Sequence, residues 1–211
     1  MDLTVDRAIE YPGDPIENLF FLEAGAASMT TTFDDGSQVE VGFFGYESVL
    51  GVSALMGTKR SLNRVYMQLD GHGFAAPASA ARTEFLLPNP FQDLVLRSVQ
   101  AQLDQVAQTA GCNAKHDVEQ RLARWLLLCA DRTRSMNLSI SQDFLVTMLG
   151  VRRMSAGQAV SNLKQLGLID HHRGGIRLLN VPGLEEKLCE CYRVVKQHLE
   201  NSTEFETGFA Q

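Results

Sequence analysis

The chain has 211 residues, 45% of them hydrophobic and 21% charged, so it can form two domains with cores and is not a disordered chain. No apolar run approaches the ~20 residues that span a bilayer, and the first residues lack a signal-peptide pattern, so we expect a cytoplasmic protein with reduced cysteines and no membrane association. The net charge of −6 argues at first against nucleic acid, but residues 113–180 carry ten Lys or Arg against five Asp or Glu, a basic block between two acidic segments.

Residues 1–88 are predicted to form short β-strands separated by turns. Asp34-Asp35-Gly36 supplies the positive φ of a tight hairpin, so segments 28–33 and 37–44 are predicted to pair. Alternation along the second segment predicts one buried face and one face in water. The buried face holds Val39, Val41 and Phe43, and the other holds Gln38, Glu40 and Gly42. A second strand pair around Asp70-Gly71-His72-Gly73 completes the pattern of an antiparallel barrel or jelly roll.

The apolar period becomes helical after Pro88-Asn89-Pro90. The 3-4-3-4 spacing of a coiled-coil seam is followed by Leu96, Val99, Leu103, Val106 and Ala110. The rest of this helix is polar, so the stripe needs a partner, which is either the adjacent barrel or the same helix of a second subunit. We favour the second. The helix is predicted to end at Gly111-Cys112-Asn113, with Asn113 as N-cap of the next helix, whose core face is Val118, Leu122, Trp125, Leu126 and Cys129.

The basic block contains the pattern of a winged helix-turn-helix. Ser141 is predicted to cap a short helix, and Gly150 to supply the turn after it. A second helix over 153–166 is predicted to bury Ala156, Ala159, Val160, Leu163 and Leu166. Segments 168–172 and 175–179 then predict a two-stranded wing. The alternative interpretation is a helical interaction module whose basic face is merely solvated.

Motifs along nearly the whole chain resemble a branch of the Crp-Fnr transcription regulators. In the second half they are Gln142-Asp143-Phe144-Leu145, Met148-Leu149-Gly150-Val151-Arg152-Arg153, Leu166-Gly167-Leu168-Ile169, Arg173-Gly174-Gly175-Ile176 and Cys189-Glu190-Cys191-Tyr192-Arg193-Val194-Val195. In the first half they are Tyr11-Pro12-Gly13-Asp14-Pro15-Ile16, Gly25-Ala26-Ala27-Ser28, Asp35-Gly36, Val39-Glu40-Val41-Gly42 and Leu50-Gly51-Val52.

The resemblance implies an α+β fold with an N-terminal antiparallel β-barrel or jelly roll of the cyclic-nucleotide-binding type, a long dimerisation helix and a C-terminal winged helix-turn-helix. The corresponding segments are 1–88, 89–112 and 113–180, followed by a C-terminal helix and tail over 181–211. The implied partners are double-stranded DNA with a pseudo-palindromic operator, a second copy of the chain, and RNA polymerase.

The same resemblance implies the DNA-binding residues. Arg153 and Gln158 would lie at base edges, where Arg and Gln can form bidentate hydrogen bonds. The phosphate-side residues would be Ser141, Gln142, Arg152 and Ser155, and Asn162 and Arg173 complete the predicted set. Met154 stands where cyclic-AMP-responsive members carry an acidic base reader, so the target sequence should differ from theirs.

The effector-binding pairs of the cyclic-nucleotide-responsive members are not matched. Their Gly-Glu pair for the ribose corresponds here to Gly51-Val52, and their Arg-Ser or Arg-Thr pair for the phosphate falls near Leu62-Asn63. Cyclic AMP is therefore not expected as effector. The sequence does not identify the effector. Glu47, Arg60 and Ser61 are candidate effector-binding residues, since a shifted strand register would restore part of the site.

Other chemistry is not predicted. Cys112, Cys129, Cys189 and Cys191 lack Cys-x-x-Cys spacing, and a predicted helix would turn Cys189 and Cys191 to different faces, so we expect structural thiols, no metal site and no cofactor. His171-His172 is predicted to be exposed or to face DNA. No motif of an enzyme is present, so no catalytic residue is predicted. The alternative function is a small-molecule-binding signalling module whose winged domain binds a protein partner.

Overall fold

The computed structural model describes residues 1–172 and 174–203, without the side chains of Gln142 and 198–203. Nine strands, seven α-helices and one short 3-10 helix (Val52–Ala54) are described in that part of the chain. The strands are β1 (Asp2–Leu3), β2 (Ala8–Glu10), β3 (Asn18–Thr32), β4 (Gln38–Phe44), β5 (Val49–Leu50), β6 (Arg64–Pro77), β7 (Asn137–Leu138), β8 (Ile169–His172) and β9 (Gly175–Leu178). The helices are α1 (Ala78–Phe85), α2 (Pro90–Lys115), α3 (Val118–Thr133), α4 (Gln142–Leu149), α5 (Arg153–Gln165), α6 (Val181–Lys187) and α7 (Cys191–Thr203).

The N-terminal strands form one antiparallel sheet in the order β1-β6-β3-β4, with β2 on β6 and β5 on β3. The predicted hairpin is confirmed, since Thr32 pairs with Gln38 and Gly36 has a φ of 78°. Among the described residues the sheet does not close, so the predicted barrel is an open sheet. The α+β fold class is confirmed.

Strand β6 corrects one predicted turn. The chain runs as one strand through Asp70-Gly71-His72-Gly73, paired with β3 along most of its length. A Cβ at Gly71 would lie 1.9 Å from the carbonyl oxygen of Ala24, and one at Gly73 would lie 2.1 Å from that of Phe21. These glycines therefore permit the close approach of β3, and they do not form a turn.

The prediction that one face of β4 lies in water is also wrong. Glu40 is only 6% exposed because α3 covers it, while Val39 and Val41 on the other face are half-buried. The Glu40 carboxylate accepts hydrogen bonds from Ser28 Oγ at 2.5 Å and from Trp125 Nε1 at 3.1 Å. Burial raises the pKa of Glu40 to about 7.

Helix α2 is longer than predicted. Its N-cap is Asn89, whose side chain accepts from the backbone N–H of Gln92 at 3.0 Å. The predicted end at Gly111-Cys112-Asn113 is wrong, since the helix continues to Lys115. Asp117, not Asn113, caps α3 in a reciprocal capping box with Gln120. The sequence pattern also did not predict the short helix α1, which precedes α2.

One face of α2 is buried against the rest of the chain, whereas its apolar stripe is only partly covered, with Val99 packed against the neighbouring apolar cluster. The buried face consists of Val95, Ser98, Ala101, Gln105 and Cys112. On the predicted stripe, Leu96 is 50% exposed and Leu103 is 61% exposed. Leu96 and Leu103 are therefore left largely uncovered by the described part of one chain.

The C-terminal half joins the sheet through a shared core. On α3, Leu122, Trp125, Leu126 and Cys129 are buried as predicted. The main apolar cluster also includes Ala26, Phe43 and Leu69 of the sheet. The β8–β9 hairpin is confirmed, and β7 adds a third strand that was not predicted. None of the helices in the described ranges is long and apolar enough to cross a membrane.

Candidate nucleic-acid interface

Helices α4 and α5 are set by local signals at their ends. Ser141 Oγ accepts from the backbone N–H of Phe144 at 3.1 Å, so the predicted N-cap is confirmed. Gly150 ends α4 in the left-handed conformation with a φ of 59°, where a side chain would be strained. A short helix, a glycine turn and a second helix therefore form as the sequence predicted.

Helix α5 is amphipathic. Its buried side is Ala156, Ala159, Val160 and Leu163, as predicted. Leu166 is 52% exposed, so its predicted burial is wrong because the helix ends at Gln165 and the chain turns away. The other side exposes polar groups and one large apolar side chain. We call this the exposed face of α5, and it consists of Arg152, Arg153, Met154, Ser155 and Gln158.

Arg153 lies at the start of α5 and forms an ion pair with Asp143 of α4. The two side chains are 62% and 80% exposed. A pair in water contributes little to stability, so the guanidinium can exchange this partner at small cost. The pair places Arg153 beside the turn, at the N-terminal end of α5.

Gln158 and Asn162 form a hydrogen-bonded chain to α3. Gln158 Nε2 donates to Asn162 Oδ1 at 2.7 Å, and Asn162 Nδ2 donates to Glu119 Oε2 at 2.9 Å. Asn162 is half-buried, whereas Gln158 is exposed. Asn162 is therefore suited to orient Gln158, which is the more exposed of the two.

The phosphate-side candidates lie around the same end of the motif. Ser141, Arg152 and Ser155 are exposed, and Arg152 is the N-cap residue of α5 without a capping side-chain hydrogen bond. Gln142 begins α4, but its side chain lies outside the described residues. Arg173 also lies outside them, so the predicted role of neither side chain is tested.

The wing is tied to the far end of α5. Lys164 Nζ lies 3.1 Å from Asp170 Oδ1 and donates to the carbonyl oxygen of His171 at 3.1 Å. Hydrogen bonding from Lys164 lowers the pKa of Asp170. His171 is half-buried and His172 is exposed. Lys164 therefore stabilises the β8–β9 hairpin, at the end of α5 opposite the turn between α4 and α5.

Contacts between the sheet and the helices were missed by the sequence prediction. Arg132 of α3 forms a buried ion pair with Glu47, with Nη2 and Oε1 2.7 Å apart and the side chains 3% and 4% exposed. Trp125 links Glu40 to α4, since its ring centroid lies 5.5 Å from that of Phe144. Arg121, Arg124 and Arg132 of α3 are buried, but their residue type alone does not distinguish them from the exposed cations of the basic block.

The effector candidates are not brought together. Glu47 is engaged by Arg132, and Arg60 donates to the carbonyl oxygen of Gly13 at 2.5 Å. Ser61 lines a cavity of about 180 Å³ in the sheet, together with Glu10 and Gln102 of α2. Burial raises the pKa of Glu10. None of the described residues that line this cavity is Lys or Arg.

Sequence comparison relates this geometry to known regulators. The profile of the Crp-like helix-turn-helix domain matches residues 120–187. The global nitrogen regulator of Synechococcus elongatus is 24% identical over 195 residues, which cover 86% of this chain and 86% of that protein. The CRP-like protein Clp of Xanthomonas euvesicatoria is 26% identical over 179 residues, covering 77% of this chain and 76% of Clp.

Solved structures share the fold over most of the chain. A CRP-family transcriptional regulator from Thermus thermophilus superposes with a TM-score of 0.76 at 18% identity, covering 89% of this chain and 95% of its own. FixK2 from Bradyrhizobium japonicum has a TM-score of 0.74 at 16% identity, covering 90% of this chain and 96% of its own. The sheet, the long helix and the winged helix-turn-helix are thus arranged as in these proteins.

Proposed function

We propose that this chain, which belongs to the Crp-Fnr family of transcription regulators and not to a family of enzymes, binds specific sites in double-stranded DNA as a homodimer. The observation that supports this proposal is the exposed face of α5. It combines two guanidinium groups, a hydroxyl and an amide at one end of a helix, inside the basic block of an otherwise acidic chain. A helix with such groups fits the major groove and can read base edges there.

The roles of the residues follow from their positions. Arg153 and Gln158 would read base edges, since Arg pairs with guanine and Gln with adenine through two hydrogen bonds. Asn162 would hold Gln158 in place through Glu119. The phosphate contacts would come from Ser141, Gln142, Arg152 and Ser155, and from Arg173 in the wing.

The dimer is proposed from the stripe on α2. Leu96 and Leu103 expose apolar surface at coiled-coil spacing, and the buried face of the same helix is already covered by its own chain. A second copy with the same stripe would cover it and relate two α5 helices by a two-fold axis. The two half-sites would then be centred about 10 base pairs apart, or a multiple of that.

The cavity in the sheet is the proposed place for an effector. At about 180 Å³ it is smaller than the ~300–1,000 Å³ of drug-sized pockets, and its charged lining residue is acidic. A small ligand without negative charge fits this lining better than a cyclic nucleotide. We also propose that the protein contacts RNA polymerase, as the family resemblance implies. It would act in the cytoplasm.

Selection of binding sites from random duplex DNA tests the proposed function. We expect a recovered motif with dyad symmetry, and an affinity for it that falls steeply as salt rises, because phosphate contacts release counterions. A winged domain that binds a protein partner would enrich no motif and would show a weak salt dependence on arbitrary duplex.

A further inference from the structure

Four side chains that commonly bind metals meet where α2 ends and α7 begins. Cys112 lies in the last turn of α2 and His116 is its C-cap, while Cys189 and Cys191 come from the connection into α7. Their potential ligand atoms all lie within 4.8 Å of one another. We call these four residues the cysteine cluster.

The predicted orientation of Cys189 and Cys191 is wrong. Helix α7 begins at Cys191, so Cys189 precedes it, and helical geometry does not turn the two thiols apart. Both are buried beside Cys112. The spacing of Cys112 and His116, four residues apart at the end of α2, was a sequence signal, because residues at i and i+4 share a helix face.

The distances in the cysteine cluster fit one ion. The sulfur atoms of Cys112 and Cys189 are 3.6 Å apart, and Cys191 Sγ lies 3.6 Å from His116 Nδ1. A tetrahedral zinc ion with Zn–S bonds of ~2.3 Å places its thiolates ~3.8 Å apart. A disulfide would need ~2.05 Å, and an iron–sulfur cluster would spread its ligands over more than one iron.

The neighbouring polar groups support a metal-binding arrangement. Glu190 Oε2 lies 3.3 Å from His116 Nε2, which leaves Nδ1 facing Cys191. Carboxylate groups orient metal-binding histidines in this way. Gln108 Nε2 lies 3.0 Å from Cys191 Sγ, where it donates a hydrogen bond to the sulfur.

Two buried arginines lie next to the cysteine cluster. Arg121 and Arg124 are 8% and 6% exposed, and both interact electrostatically with Cys112. Arg121 Nε and Arg124 Nε and Nη1 have no hydrogen-bond partner among the described residues. A divalent ion with three thiolates and a neutral imidazole carries one net negative charge, which these guanidinium groups would offset.

We propose that Cys112, His116, Cys189 and Cys191 bind a single tetrahedral divalent ion of the zinc type. The ion fastens the start of α7 to the end of α2. It also holds His116, one of the two residues that connect α2 to α3. The site is separate from the exposed face of α5, and it fixes how the DNA-binding half is attached to the long helix.

Cobalt titration of the full-length protein tests the proposal. The protein is freed of metal with a chelator under reducing, anaerobic conditions and then titrated with Co²⁺. We expect one equivalent to bind, with the visible absorption of tetrahedral cobalt and a thiolate charge-transfer band, and zinc to displace it. Zinc should also raise the thermal midpoint of the metal-free protein.

Matched cysteine variants assign the ligands. Cys189→Ser should weaken cobalt binding by more than about tenfold, whereas Cys129→Ala, at a buried thiol outside the cysteine cluster, should bind as the parent does. If Cys189→Ser fails to fold by circular dichroism, Glu190→Gln replaces it. That exposed residue only orients His116, and its loss should weaken binding about tenfold.

Three results would overturn the proposal. They are a folded parent protein without a saturable tetrahedral cobalt spectrum, a cobalt affinity unchanged in folded Cys189→Ser or Glu190→Gln, and the absorption of an iron–sulfur cluster in protein purified anaerobically.

Discussion

At the scale of the residue, Arg153 carries the proposed base reading. Arg153→Ala should cost about 1–3 kcal/mol of binding free energy on the selected site and relax the preference at one base pair per half-site. Its loss should matter less on random duplex, where no guanine edge is specified. Fluorescence anisotropy with selected and random duplexes measures both losses.

Lys164→Ala is the matched control for Arg153. Lys164 is a cation on the same helix, but it is bonded to Asp170 and His171 of the wing. Its loss should weaken binding to all sequences alike, if it changes binding at all. Equal losses on selected and random duplex for Arg153→Ala would show that α5 docks differently.

The buried carboxyl of Glu40 predicts a pH dependence of stability. Its pKa rises from 4.5 to about 7 on folding, so between these values the folded state holds a proton that the unfolded state has released. The free energy of unfolding should therefore fall as pH rises from about 4.5 to 7, by up to about 3 kcal/mol from this group. The contribution of Glu40 is then constant above that range.

Urea unfolding of the parent and Glu40→Gln at pH 5 and pH 8 isolates this effect. The amide keeps an acceptor for Trp125 and cannot ionise, so the variant should gain stability relative to the parent as pH rises. Parallel pH profiles for the two proteins, or a relative loss for Glu40→Gln at pH 8, would contradict the assignment.

At the scale of the element, local signals predicted the helix-turn-helix, and tertiary contacts decided what was missed. The cap at Ser141 and the left-handed Gly150 act within a few residues, so the sequence alone determines them. Gly71 and Gly73 resemble turn residues locally, but their role is set by β3, more than 40 residues away in the chain. The cysteine cluster likewise joins two distant segments.

The residues of the candidate nucleic-acid interface were also predicted only in part. Exposure of Arg153 and Gln158 follows from the amphipathic period of α5. The burial of Glu40 under α3 does not follow from alternation in β4, because alternation assigns two faces without saying what covers each. The Glu47–Arg132 pair is hidden for the same reason, since its partners lie 85 residues apart.

The stripe on α2 predicts the dimer interface. Leu103→Glu would place two carboxylates in an apolar seam and should cost several kcal/mol of association free energy. Sedimentation should then show monomers, and DNA affinity should fall because the half-sites are no longer linked.

Leu62→Glu is the control for the stripe. Leu62 is 85% exposed in a loop of the sheet, so the same substitution there should leave the dimer intact. A Leu103→Glu protein that remains dimeric would move the interface elsewhere. The C-terminal helix predicted within 181–211 is two helices in the described residues, α6 and α7.

At the scale of the whole molecule, the sheet and the DNA-binding half share a core, so a ligand in the sheet could affect α5. Cyclic AMP and cyclic GMP should not be that ligand, because the described cavity lining offers no cation for a phosphate and Arg60 is bonded to Gly13. Calorimetry up to millimolar nucleotide should show no saturable heat, and DNA affinity should not change. Micromolar binding that Arg60→Ala abolishes and Lys59→Ala retains would overturn this prediction.

The most direct test of the central claim is the ratio of affinities for the selected duplex and for a scrambled duplex of the same length, measured with the parent protein at physiological salt. Sequence-specific binding through two α5 helices predicts a ratio of about 10³ or more, with two chains on each selected duplex. Equal affinities for the two duplexes, or one chain bound to an asymmetric site, would contradict the account.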